Sequence, residues 1–201
     1  MEREAGARPS LSDRFDQAMV WASELHREQR RKGSETPYLA HLMSVSALVL
    51  ENGGDEDEAI AALLHDAVED GGGRPTAVEI RRRFGPRVAV LVDGCTDSDE
   101  TPKPAWRPRK ERFIERLTGA SGSVRLVTAA DKLHNARSVL ADLRREGERV
   151  WDRFAAPRHD TLWYYRAVTS RLRESGPLPL VEELDRVVTE LERRAEINAR
   201  R

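Results

Sequence analysis

An all-α fold, a compact bundle of about eight to ten helices, is the architecture this chain predicts. Three observations carry it. Apolar side chains recur at helical spacing in segment after segment, no alternating strand pattern reaches useful length, and Gly, Pro or Asn clusters separate the periodic stretches. No internal repeat is present.

Residues 1–11 read as a loose tail. Ser12 is placed to cap a helix reaching about Arg30, with Phe15, Met19, Ala22, Leu25 and His26 along one face. Arg30-Arg31-Lys32-Gly33-Ser34-Glu35-Thr36-Pro37-Tyr38 is a basic turn ended by proline. His41 opens a second helix, with Leu42, Val45, Leu48 and Val49 inward, that stops at Asn52-Gly53-Gly54. A third runs from about Asp55 to Val68, its Ile60, Leu63, Leu64, Ala67 and Val68 at helical spacing, before three glycines. Thr76 and Glu79 stand at capping-box spacing behind Pro75 and open a helix ending at Phe84-Gly85. Pro86 to Leu91 opens another, and Asp93 to Ala105 is a loop, over a site or across the surface.

The second half is simpler. Trp106 to Leu117 is amphipathic, with Phe113, Ile114 and Leu117 inward. Residues 123–145 form a long helix lined by Val124, Leu126, Val127, Ala130, Leu133, Val139, Leu140 and Leu143. A short element near Gly147 to Phe154, a helix from His159 to about Arg173 and a last helix after Pro177 complete the chain. The expected organisation is a tail at 1–11, one domain over 12–176, and an amphipathic helix with a charged end at 177–201, packed on that domain.

Composition narrows the function classes. With 34% charged residues, a net charge of −1 and no apolar run of roughly 18 residues, the chain predicts a soluble protein without a membrane span. The charged start, Met-Glu-Arg-Glu-Ala, lacks a signal-peptide core, so a cytoplasmic location is expected. Arginines interleaved with acids argue against a nucleic-acid face. Cys95 stands alone, which excludes an internal disulfide and a thiolate cluster, so a bound metal would take nitrogen and oxygen ligands. Monomer and homodimer both stay open.

The chemistry-bearing residues interrupt apolar stripes. His65-Asp66 and Glu69-Asp70 are threaded through the third helix, and residues four apart share a helical face, so His65 pairs with Glu69 and Asp66 with Asp70. Asp131 sits in the stripe of the long helix, with Asn135 one turn on and Ser138 two turns on. An unpaired buried carboxylate costs several kcal/mol on an order-of-magnitude scale, so Asp131 needs a cation. Lys132 and Arg137 are the salt-bridge choices; a metal ion shared with His41, His65 and Asp66 explains more residues at once.

Those residues, in that order, resemble the HD phosphohydrolase superfamily. Within it, the blocks from Arg31-Lys32 to His41, from Ala62-Leu-Leu-His65-Asp66 to Asp70, and from Ala129-Ala-Asp131 through Asn135 to Ser138 resemble the hydrolase domain of RelA/SpoT proteins. The likeness spans residues 12 to about 175, and no synthetase domain follows, so a stand-alone small alarmone hydrolase is expected. The resemblance implies a Mn²⁺-dependent 3′-pyrophosphohydrolase of (p)ppGpp. It places the metal ligands on His41, His65, Asp66 and Asp131, and the water-activating pair on Glu69 and Asp70. Arg31 and Lys32 fall where the family holds phosphates and base, Asn135 and Ser138 where it contacts the nucleotide. A tyrosine of the penultimate helix is carried over to Tyr165 in preference to Tyr164. Lys103 and Arg107 are further cations for the phosphates. The segment from Cys95 to Arg107 departs from the long bifunctional enzymes, which leaves the base open. Alternatives are an adenosine alarmone, the NADPH 2′-phosphate or a nucleoside monophosphate as substrate. A helical module that senses nucleotide without cutting it is a third reading, which predicts a missing ligand; none is missing.

Overall fold

Ser12 caps the first helix, its hydroxyl accepting the Arg14 backbone N–H. In the computed structural model the described residues are 10–98, 100 and 102–199, so the expected tail lies almost wholly outside them. They form nine α-helices with 3-10 turns at Leu117–Gly119 and Gly147–Arg153. No strand occurs among them, only an isolated bridge between Arg30 and Pro37.

Helix α1 (Asp13–Leu25) stops earlier than expected, because the chain at Gln29 and Arg30 is drawn into a closed loop. Tyr38 N–H donates to the Gln29 carbonyl and Arg31 N–H to the Thr36 carbonyl, both at 2.9 Å. The basic turn is thereby pinned at its base. Helix α2 (Leu39–Glu51) starts two residues before His41 and buries that imidazole completely.

The third helix is the main correction. It is not continuous to Val68: α3 (Glu56–Leu64) ends at His65-Asp66, and a single turn, α4 (Ala67–Asp70), follows. Both residues keep right-handed dihedrals, φ −60° and ψ −30° at His65 and φ −97° and ψ −3° at Asp66, so the interruption is a local loosening of the helix at the His-Asp pair. The expected capping box at Thr76 and Glu79 is also absent. Helix α5 (Arg74–Cys95) begins two residues earlier, after Gly73, so Thr76 lies inside it and donates to the Gly71 carbonyl at 2.6 Å. The capping box is formed instead by Asp55 and Glu58, at the start of α3. Gly85 breaks α5 as expected, at φ 89°, although its second half runs to Cys95 and Val90 is exposed. The following loop is correspondingly shorter.

Helix α6 (Trp106–Arg116) buries Phe113 and Ile114. Helix α7 (Gly122–Glu146) is the axis on which α2, α3, α5, α8 (Arg158–Glu174) and α9 (Pro179–Ala199) pack. Buried Leu180, Leu184, Val188 and Leu191 seat α9 on α7 and α8. Because α2, α3 and α7 all meet, His41, His65 and Asp131 are brought to one place.

Candidate metal centre

His41 from α2, His65 and Asp66 from the α3–α4 break and Asp131 from α7 converge. One donor atom each from His41, His65 and Asp66 lies within 4.8 Å of the others. The two Nε2 atoms are 3.3 Å apart. Asp66 Oδ2 is 3.0 Å from His65 Nε2, and Asp131 Oδ1 is 3.3 Å from His41 Nε2 and 3.6 Å from His65 Nε2. Three of the four residues are at least nine-tenths buried and Asp66 is half-buried.

The electrostatics of this cluster call for a cation. Burial opposes charging of His65, yet the Asp66 and Asp131 carboxylates outweigh it and raise its pKa well above the usual imidazole value. Burial likewise raises Asp66 and Asp131, but a charged His65 beside the first and Lys132 beside the second hold both carboxyls below their ordinary range. Burial keeps His41 neutral by lowering its pKa. With His65 deprotonated, two imidazole lone pairs and two carboxylates facing each other match the donor set of a divalent ion with mixed nitrogen and oxygen ligands. The residues present fit such an ion.

Of the two readings of Asp131, the structure shows the salt bridge to Lys132 on one oxygen and leaves the other oxygen turned to the imidazoles. Lys132 Nζ binds Oδ2 at 2.6 Å, while Oδ1 faces the imidazoles and accepts Asn135 Nδ2 at 2.5 Å. Arg137 turns away to Glu183. Arg31 donates to Asn135 Oδ1 at 2.7 Å, so the basic loop reaches the centre through Asn135.

A cavity of about 730 Å³ opens over the cluster, lined by Arg31, Lys32, Ser138, Lys103 and Tyr165 among the expected residues. Glu69 and Asp70 lie on its wall. Glu69 Oε1 accepts Lys103 Nζ at 3.2 Å, and Asp70 Oδ2 accepts Gln29 Nε2 at 2.9 Å. They lie beside the candidate ligands, and Asp70 keeps the expected helical spacing to Asp66, its N–H donating to the Asp66 carbonyl at 3.0 Å. Ser138 donates its hydroxyl to the His134 carbonyl at 2.9 Å. Tyr164 lines the cavity as well as Tyr165, so the two tyrosines are not alternatives. Arg107 does not line it: its guanidinium stacks on Trp163 and pairs with Glu111 and Asp160. Arg109 and Lys110, one turn further in α6, take that place.

Sequence reasoning missed Tyr38 and His134. Tyr38 Oη donates to Asp66 Oδ2 at 2.5 Å, three residues before His41. His134 Nδ1 lies 2.8 Å from His41 Nδ1, and burial, His41 and Arg31 lower its pKa to about 4. Its position three residues after Asp131 on α7 was the available signal.

An HD domain family model matches residues 18–162. The chain belongs to the HD domain family. Within it, the chain is 40% identical over 126 residues to the Xenopus tropicalis guanosine-3′,5′-bis(diphosphate) 3′-pyrophosphohydrolase MESH1, covering 61% of this chain and 68% of the relative. It is 35% identical over 131 residues to the Aquifex aeolicus guanosine-3′,5′-bis(diphosphate) 3′-pyrophosphohydrolase, covering 65% of this chain but only 18% of that longer one. A solved metazoan ortholog of SpoT, described as hydrolysing ppGpp and playing a role in starvation responses, superposes with a TM-score of 0.74. It is 29% identical, and the match covers 90% of this chain and 97% of that one. Among the described residues no helix is long and apolar enough to cross a membrane.

Proposed function

We propose that this chain is a Mn²⁺-dependent 3′-pyrophosphohydrolase of guanosine-3′,5′-bis(diphosphate) and its 5′-triphosphate counterpart, yielding pyrophosphate and GDP or GTP. The observation that carries this reading is the meeting of two imidazoles and two carboxylates on a cavity whose walls also bring in Arg31, Lys32, Lys103, Arg109 and Lys110. A site of that kind suits a substrate with several phosphates. The relatives so named, and the SpoT ortholog, add the substrate.

In this reading His41, His65, Asp66 and Asp131 hold the metal, and the net −2 of this donor set suits Mn²⁺. The ion supplies Lewis acidity, acidifying water and neutralising phosphoryl charge. Water attacks the phosphorus on the ribose 3′ oxygen, and the P–O3′ bond breaks. Glu69 or Asp70 takes the water proton on a carboxylate oxygen, and the departing 3′ oxygen gains one. Arg31, Lys32 and Lys103 neutralise the released diphosphate, joined by Arg109 and Lys110 on the same wall. Asn135, Ser138 and Tyr165 contact the nucleotide.

Incubating the purified chain with Mn²⁺ and ppGpp tests this directly. GDP and pyrophosphate in equal amounts are expected. Orthophosphate as product, or turnover only of an adenosine alarmone, NADPH or a nucleoside monophosphate, overturns the assignment.

A further inference from the structure

We infer that His134 sets the tautomer and orientation of His41, accepting the His41 Nδ1–H so that the Nε2 lone pair is presented to the divalent ion. The inference rests on the metal reading of the same site. His41 is wholly buried, so the ring nitrogen that does not coordinate needs a protein partner. Nε2 is the nitrogen that faces His65 and Asp131, at 3.3 Å from each. Nδ1 is the nitrogen 2.8 Å from His134 Nδ1.

Two ring nitrogens at that distance share one proton: one donates and the other accepts. If Nε2 gives its lone pair to a cation, the proton of neutral His41 resides on Nδ1. His134 Nδ1 is then bare, and its own proton is on Nε2. His65 obeys the same rule with a different acceptor, since its Nδ1 donates to the Ala62 carbonyl at 2.8 Å. A carbonyl can only accept. An imidazole can also donate, and the opposite tautomer of His134 would move the His41 proton to Nε2 and abolish coordination there. His134 stands three residues after Asp131, so one turn of α7 carries a ligand and the group that orients a second ligand. Ligating histidines commonly have their second nitrogen fixed in this way.

Calorimetric titration of the full chain with Mn²⁺ alone, on wild type, His134→Phe and His134→Gln, tests the assignment. Phe fills the space and accepts nothing; the Gln amide oxygen can accept. The Phe variant is expected to bind about 10–100-fold more weakly and the Gln variant within about threefold of wild type. A Phe variant equal to wild type, or a Gln variant as weak as Phe, overturns the role. Nitrogen-15 spectra of Zn²⁺-loaded wild type need no variant. His134 Nδ1 unprotonated and coupled to His41 Nδ1 is expected, and a proton on His134 Nδ1 overturns the inference. Wild type that binds neither ion removes the metal reading and this role together, whereas tight wild-type binding with an unaffected Phe variant removes the role of His134 alone.

Discussion

Asp131 divides its two oxygens between two tasks, one held by Lys132 and one turned to the imidazoles. Asp131→Asn keeps the shape and removes the charge. Metal content, measured by plasma mass spectrometry, should fall from near one ion per chain to near none, with turnover falling alongside; retention of both would remove Asp131 from the ligand set. Glu69→Ala should behave oppositely. Metal content and melting temperature should be kept while kcat drops by about 10²–10⁴, the usual worth of a general base, and near-normal turnover would pass the role to Asp70. The four residues that converge were legible as candidate ligands because imidazoles and carboxylates inside an apolar stripe cost free energy unless they are used. Tyr38 and His134 were not, since an aromatic ring beside such a stripe reads as ordinary packing. Lys110 and Arg109 were hidden among the many cations of α6, where only tertiary packing decides which side chains meet the cavity and which, like Arg107, meet another helix.

At the scale of elements, helix existence was readable from periodicity, and the ends were not. The interruption at His65-Asp66 leaves no mark on the apolar spacing, because α3 is buried on every side from Glu58 to Leu64 and burial resumes at Ala67 and Val68. Similarly, Thr76 and Glu79 had the letters of a cap, but Pro75 already belonged to the first turn. The true cap, Asp55 with Glu58, gives a prediction. Burial works against the charged Asp55 carboxylate, but Arg87 and the Glu58 N–H outweigh it and depress its pKa. A depressed carboxyl stabilises the fold above its unfolded pKa, and that contribution fades as pH falls through the lower folded value. Asp55→Ala should therefore cost about 1 kcal/mol at neutral pH. The deficit should shrink as the medium is acidified below the usual carboxylate range. Urea titrations of both proteins across that range measure it, and a deficit constant with pH would mean that the charge on Asp55 does not contribute.

Across the whole molecule, α2 and α3 converge on α7 from a distant part of the sequence to build one centre, so the site exists only in the assembled bundle. The basic loop belongs to that assembly as well. Its base is bridged at Arg30 and Pro37, and Gly33, at φ 71°, lets the Arg153 side chain lie directly against it, where any Cβ would collide. Arg153 is anchored in turn by Asp142 and Glu146. Gly33→Ala should leave the bundle folded and kcat nearly unchanged while raising KM, a split that steady-state kinetics on ppGpp would reveal; equal losses in both would mean that the loop shapes the reacting groups themselves. The loop surrenders its conformational entropy once, during folding, and not again at each encounter with a nucleotide. A grip made ready in this way lets weak individual contacts to phosphate add up to useful affinity.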